Sequence, residues 1–154
     1  MKKIMYMMMG VPGAGKSTYI KNNLAGVKVV SRDAIRFSVL EDDENYFAKE
    51  GIVWQIFVDE AQVCLDRQED FVLDATHLNE ASRKKILRAL KINRDIFDIK
   101  LIFINTSFET CIKRNARRTG RAFVPELSIA NMYAHLAKPH YSEGFDEITE
   151  IKED

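Results

Sequence analysis

Four short apolar runs, Ile4 to Met9, Val27 to Val30, Phe71 to Leu73 and Ile99 to Ile104, punctuate the chain. Segments in which apolar residues recur at helical spacing separate them. Runs this predominantly apolar suit strands covered on both faces, and strands alternating with helices imply crossover connections. The expectation is an α/β fold in three layers, a parallel sheet flanked by helices. The longest helix is expected over about Asn45 to Arg67, with Tyr46, Val53, Trp54, Phe57, Ala61, Cys64 and Leu65 forming a core stripe. A second should start at Asn79, whose side chain can cap it, and run to about Ile92. It would bury Ala81, Ile86, Leu87 and Leu90 and turn Arg83, Lys84, Lys85, Arg88 and Lys91 to solvent. Thr106-Ser107-Phe108-Glu109 reads as a capping box opening a third helix, and Pro125-Glu126 opens a fourth that ends before Pro139. Glu41-Asp42-Asp43-Glu44 reads as a loop, and Phe145 to Ile151 as a last short strand.

The exit of the first run carries the strongest chemical signal. Gly10-Val11-Pro12-Gly13-Ala14-Gly15-Lys16-Ser17-Thr18 satisfies G-x-x-x-x-G-K-[ST] in full, between a strand and a helix. In such a loop Gly10, Gly13 and Gly15 let backbone N–H groups, those of Ala14 and Thr18 among them, close around phosphate oxygens. Lys16 neutralises the β- and γ-phosphates, and the Ser17 hydroxyl ligates Mg²⁺. The following helix aims its positive end at the same phosphates. This is the pattern of a nucleoside triphosphate site, with ATP and Mg²⁺ as the expected cofactors.

Length and composition narrow the setting. The chain has 154 residues, the size of one domain, and 23 basic residues balance 23 acidic ones. With zero net charge no global field draws it to a long polyanion or a membrane, so any polyanion contact must be local. Cys64 and Cys111 have no metal-ligand spacing and read as reduced core residues. The apolar stretch Met1 to Met9 is too short to span a bilayer, and a soluble cytoplasmic protein is expected.

In an open α/β sheet ligands bind beyond the carboxyl ends of the strands. After the second run comes Ser31-Arg32-Asp33-Ala34-Ile35-Arg36. Asp33 could take the proton of an attacking hydroxyl and Arg36, one turn on, could hold an acceptor phosphate. Asp33 also fits a first-turn acid complementing a helix dipole, with Ser31 as cap. After the third run, Asp74 has the form of a magnesium-associated carboxylate, and the Thr76 hydroxyl could touch substrate. His77 reads as a loop residue. Lys113-Arg114-Asn115-Ala116-Arg117-Arg118-Thr119-Gly120-Arg121 places five basic residues in nine at a helix end. A solvated, dipole-complementing helix end is one reading; an arginine-rich lid closing over a transferring phosphoryl group is the other. In the lid reading Arg114 packs on adenine, and Arg118 or Arg121 reaches the phosphates.

Taken together, the phosphate loop, Ser31-Arg32-Asp33-x-x-Arg36, Asp74-Ala75-Thr76-His77-Leu78-Asn79 and Lys113-Arg114-Asn115 with Arg117-Arg118 resemble the P-loop kinase domain of phage-type 5′-hydroxyl polynucleotide kinases, from Met1 to about Leu136. The resemblance implies a P-loop NTPase fold of the nucleotide-kinase type. It implies Asp33 as general base, Arg36 as acceptor-phosphate ligand, Lys16 and Ser17 as ATP and magnesium ligands, Arg118 as the lid arginine and Thr76 beside the acceptor. The family's acid directly precedes the threonine, where this chain has Ala75, with Asp74 one residue earlier. The function so implied is transfer of the γ-phosphoryl of ATP to a hydroxyl, with the 5′-OH of a DNA or RNA end as the leading acceptor. A nucleoside, nucleotide, sugar nucleotide or antibiotic is the alternative acceptor, and a regulatory ATPase is a reading from another class.

Overall fold

The structure, a computed structural model, describes residues 1–120 and 123–153. Its strands are β1 (Lys3–Met9), β2 (Lys28–Ser31), β3 (Phe71–Asp74), β4 (Phe97–Thr106) and β5 (Glu147–Glu153). The helices are α1 (Lys16–Asn23), α2 (Arg32–Val39), α3 (Glu50–Asp66), α4 (Glu80–Ala89), α5 (Phe108–Ala116) and α6 (Glu126–Ala134). The strands form one parallel sheet in the order β2-β3-β1-β4-β5. Met5 pairs with Phe71 on one side and Ile99 on the other, which puts β1 between the two other deeply buried strands. Because all five strands run the same way, their carboxyl ends gather on one edge, where a ligand is met.

Alternation along each strand divides the core in two. Met5, Met7, Met9, Phe71, Leu73, Phe97, Ile99, Leu101 and Phe103 face a cluster with Ile35 of α2, Val53, Phe57 and Ala61 of α3 and Ile86 of α4. Met8, Val72, Ile102 and Ile104 point to the opposite face, where Ile20 of α1, Cys111 of α5 and Ile129 of α6 cover them. Each large side chain fully withdrawn from water contributes about 1.5–3 kcal/mol, so the two apolar faces hold the helices in place. The result is the three-layer arrangement that the alternating apolar runs imply. No helix among the described residues is long and apolar enough to cross a membrane.

Several local expectations are corrected. α3 starts at Glu50, not near Asn45. The Asn45 side chain accepts a hydrogen bond from the Phe47 N–H and the Asn45 carbonyl one from Ala48 N–H, so residues 45–48 close a turn before the helix can begin. Tyr46 therefore leaves the core stripe. α4 is capped by Asn79 as expected but ends at Ala89, and Ala81 is exposed. Arg83 is not a solvated residue: its side chain is 0% exposed and pairs with Glu143, 6% exposed, at 2.7 Å. It also donates to the His77 carbonyl at 3.0 Å. The cap of α5 is Ser107, which accepts from Thr110 N–H at 3.3 Å and donates to the Thr110 hydroxyl; Glu109 takes no part in it. The last strand lies at Glu147–Glu153, two residues beyond the expected span, in parallel register with β4. Both cysteines are buried thiols.

Candidate active site

The turn leaving β1 is built from glycine geometry. Gly13 and Gly15 have φ of +85° and +108°, values that L side chains rarely adopt. A Cβ on Gly13 would stand 2.7 Å from the Cys111 carbonyl oxygen, so this loop passes against α5 with no room for a side chain. Two donors brace it from behind. Thr106 Oγ1 donates to the Ala14 carbonyl at 2.6 Å, and Arg114 Nη1 donates to the same carbonyl at 3.0 Å and to that of Gly13 at 3.3 Å. Arg114 is itself tied to Glu153 of β5 at 3.1 Å. Its guanidinium thus shapes the loop while lining the cavity beside it. Gly10 N–H donates to the Thr76 carbonyl at 3.0 Å, which locks the loop to the segment after β3.

Lys16 Nζ donates to the carbonyls of Gly10 and Val11, at 2.7 and 3.1 Å. The ammonium is curled over the loop, where it would meet phosphate oxygens. The first-turn N–H groups of α1, those of Ser17 and Thr18 included, have no acceptor within the helix and point the same way. Burial pushes the Lys16 pKa down, and the nearby charge of Arg118 adds to that, while Asp74 and Asp33 oppose it. Burial conversely raises Asp74, with Lys16 opposing. The loop lysine, the acid at the end of β3 and the acid of α2 therefore sense one another electrostatically.

A cavity of about 1330 Å³ extends from this loop across the carboxyl edge of the sheet. Gly13, Gly15, Lys16, Ser17 and Thr18 line it together with Asp33, Arg36, Tyr46, Glu50 and Trp54, with Asp74, Thr76 and His77, and with Arg118 beyond α5. The structure thus brings Lys16, Ser17, Asp33, Asp74, Thr76 and Arg118 to one concavity. Arg121 lies outside the described residues.

Ser31 caps α2 by accepting from Ala34 N–H at 3.1 Å, which places Asp33 in the first helical turn at the cavity wall. The Asp33 side chain is 58% exposed and that of Arg36 only 6%. Arg36 is not extended toward solvent for an acceptor phosphate. Its Nε and Nη2 donate to Glu50 Oε1 at 2.9 and 2.7 Å, and its Nη1 donates to the Tyr46 hydroxyl at 2.7 Å and to Asp33 Oδ1. The Tyr46 hydroxyl in turn donates to Asp33 Oδ1 at 2.6 Å. Burial, then the hydrogen bond and charge of Asp33, push the Tyr46 phenol pKa up, so it stays a donor. Both partners hold the same carboxylate oxygen, Oδ1, of a side chain that is more than half exposed and lines the cavity.

Tyr46 and Glu50 escaped the sequence reading. Glu50 had a signal: two arginines and one aspartate within one turn need a second anion once they are buried. Tyr46 had none, because only the late start of α3, at Glu50, frees it from the apolar stripe. His77, read as a loop residue, is buried at φ +45° and donates from Nδ1 to the Met8 carbonyl at 2.7 Å. Burial above all brings its pKa down to about 4.

Residues 5–139 match a family model described as AAA domain. No curated protein matches the chain. Among solved structures, a chain of the Pnkp1/Rnl/Hen1 RNA repair complex is similar at 21% identity and TM-score 0.71, over 88% of this chain and 44% of that one. This chain therefore spans less than half of that relative's length. A gluconokinase from Sinorhizobium meliloti 1021 is 18% identical with TM-score 0.59, covering 98% and 82% of the two chains. A sugar kinase from Janibacter sp. HTCC2649, in an unliganded structure, is 15% identical with TM-score 0.65 over 99% and 86%. With residues 5–139 matched and the phosphate loop at the head of a five-stranded parallel sheet, the chain belongs to the AAA domain family and has the fold of P-loop kinases.

Proposed function

We propose that the protein transfers the γ-phosphoryl group of ATP to a hydroxyl, with the 5′-OH of a DNA or RNA end as the leading acceptor. The observation that carries this reading is the placement of Asp33: a carboxylate fixed at Oδ1 by Tyr46 and Arg36, on an exposed side chain that lines the cavity the phosphate loop opens into. A hydrolytic switch has no need of an acid oriented in this way on the wall of the cavity that its phosphate loop lines.

In this reading the loop N–H groups and Lys16 hold the β- and γ-phosphates of ATP. The acceptor hydroxyl lies on Asp33 Oδ2. Its oxygen forms a bond to the γ-phosphorus as the bond from that phosphorus to the β,γ-bridging oxygen breaks, its proton passes to Asp33, and ADP leaves. Lys16 and Arg118 neutralise charge on the transferring group, and a curled Lys16 only has to swing from the Gly10 carbonyl to a phosphate oxygen. Among the described residues no group of three or more His, Cys, Asp or Glu side chains could hold a metal by itself. That suits magnesium, which takes few protein ligands and completes its shell with water and phosphate. Ser17 would hold it, with Asp74 behind, and its contribution is neutralisation of phosphate charge. Arg114 fixes the loop through the Gly13 and Ala14 carbonyls and, lining the cavity, also packs on adenine, and Thr76 lies beside the acceptor.

The Ser31-Arg32-Asp33-x-x-Arg36 segment and the Lys113-Arg114-Asn115 helix end favour a nucleic acid end over a small molecule, as does the likeness to a chain of an RNA repair complex. A small-molecule acceptor is the second reading, favoured by zero net charge and by the likeness to a gluconokinase and a sugar kinase. The test is incubation with γ-labelled ATP and Mg²⁺ against 5′-OH oligonucleotides, 3′-mononucleotides, nucleosides, sugars and no acceptor. Label on 5′-OH ends supports the leading reading, and label on a small acceptor alone supports the second. Acceptor-independent release of phosphate overturns both.

A further inference from the structure

Asn115, in the last turn of α5, is a polar side chain on a residue only 2% exposed. Its Nδ2 donates to the Val124 carbonyl at 2.5 Å, and its Oδ1 accepts from Val124 N–H at 3.0 Å. A carboxamide presents a donor and an acceptor side by side in one plane, so it can pair with both polar groups of a single backbone residue. Val124 lies nine residues on and directly precedes Pro125, the N-cap of α6. The amide therefore joins the end of α5 to the start of α6 across the connection that carries Arg117 and Arg118. The main chain of Asn115 holds the near side of that connection, because its carbonyl accepts from Arg118 N–H at 3.0 Å. One buried residue thus fixes the connection where it leaves α5 and where it reaches α6.

Arg118 and Val124 both line the cavity, and the charge of Arg118 is among the influences that lower the Lys16 pKa. The arginine therefore stands within electrostatic reach of the phosphate loop. A long side chain meets a phosphate at less entropic cost when the backbone that carries it is already held, because freedom that remains must be lost on contact. We infer that Asn115 is a positioning residue: by pinning Val124 to α5 it sets the backbone from which Arg118 meets the γ-phosphate of ATP. This rests on the proposed function for the role of Arg118; Asn115 acts through that arginine and is not itself a nucleotide ligand. The Lys113-Arg114-Asn115 helix end then has two tasks, since Arg114 braces the phosphate loop and Asn115 secures the arginine that follows. An amide that served only to hold α5 against α6 would affect stability and leave the γ-phosphate contact alone.

The experiment titrates the whole protein, with Mg²⁺, against ADP and against the non-hydrolysable β,γ-imido analogue of ATP, which adds the γ-phosphate. The ratio of the two affinities is measured by calorimetry for the native chain, Asn115→Ala, Arg118→Ala and the double variant. Arg118→Ala should lower the preference for the analogue about 10-fold, the effect of one hydrogen bond to a charged group. Asn115→Ala should lower it about 5-fold with ADP affinity unchanged, and the double variant should fall no lower than Arg118→Ala alone, because both act through one contact. Asn115→Asp keeps an acceptor for Val124 N–H but, ionised, no donor for its carbonyl; it should show a smaller loss, and it decides the matter if Asn115→Ala does not fold. An unchanged preference in both Asn115 variants, equal losses for ADP and the analogue, or losses that multiply in the double variant overturn the inference. Loss of the fold in both variants overturns it too, since the amide is then structural. An unchanged preference in Arg118→Ala overturns it together with the place of Arg118 in the proposed reaction. The expected pattern in a protein that phosphorylates no acceptor upholds the positioning of Arg118 and overturns the kinase reading.

Discussion

The Tyr46 hydroxyl donates to Asp33 Oδ1 at 2.6 Å, from a turn thirteen residues further along the chain that exists only because α3 begins at Glu50. Arg36 holds the same oxygen, so the acid is clamped at one atom while more than half of its side chain stays exposed. Tyr46 does not touch the reacting atoms in this account; it positions the group that does. Tyr46→Phe should lower kcat about 10-fold, the effect of one hydrogen bond to a charged partner, while leaving the KM for ATP unchanged. Steady-state kinetics with ATP and acceptor varied separately check this. A rise in the KM for ATP alone would place Tyr46 in nucleotide binding instead.

Acid should destabilise the protein through His77. Its native pKa, about 4, lies below the ordinary 6.5, because a buried imidazolium is unfavourable. Between those values the unfolded chain binds a proton that the native chain does not. The contribution is constant above about pH 6.5, and stability falls by about 3 kcal/mol as pH drops to 4. Asn accepts the φ of +45° and keeps a side-chain donor toward Met8, but it does not titrate. Urea unfolding of His77→Asn between pH 4 and 7 should therefore show a shallower loss than the native chain. Identical slopes would remove His77 from the acid response.

The buried pair Arg83–Glu143 ties α4 to the segment before β5, and Arg83 Nη1 also holds the His77 carbonyl at the cavity edge. Burial, the largest single cause, acts to raise the Glu143 pKa, but the hydrogen bonds from Arg83 and the His140 N–H and the Arg83 charge together outweigh it and the net shift is down. Glu143→Leu should cost roughly 3–5 kcal/mol, since it strands a guanidinium with no exposure. Arg83→Met with Glu143→Leu should cost less than Glu143→Leu alone. A double-mutant cycle by chemical denaturation measures both, and additive losses would contradict the coupling.

Gly13 and Gly26 share a left-handed backbone, with φ of +85° and +83°, but differ in surroundings. A Cβ at Gly13 meets the Cys111 carbonyl at 2.7 Å, whereas at Gly26 it meets nothing within 4 Å. Both alanine variants should lose about 1–3 kcal/mol of stability to backbone strain. Only Gly13→Ala should also lose ATP affinity, as the loop must shift away from α5. Nucleotide titration of the two variants separates these effects; equal ATP affinity in both would show that the loop tolerates the shift.

The layers of the fold were legible in the sequence because each buried strand is an apolar run and the phosphate loop announces which edge matters. The loop itself was readable to the residue: Gly13, Gly15 and Lys16 sit as the motif requires. What stayed hidden depended on partners distant in sequence. Arg83 stands in the basic run Arg83-Lys84-Lys85, and nothing local distinguishes it from its solvated neighbours; Glu143, sixty residues on, makes the difference. Tyr46 looked apolar in a helical stripe until the Asn45 turn removed it from the helix. Arg36 reads as a phosphate ligand from its spacing, and spacing cannot show that Glu50 takes its Nε and one N–H of Nη2.

The central claim is that Asp33 accepts the proton of an acceptor hydroxyl. It is tested most directly by Asp33→Asn, assayed for transfer from γ-labelled ATP to the preferred acceptor and, in parallel, for ATP binding. The account predicts transfer reduced roughly 10²- to 10⁴-fold with ATP affinity retained. Undiminished transfer by Asp33→Asn would contradict it.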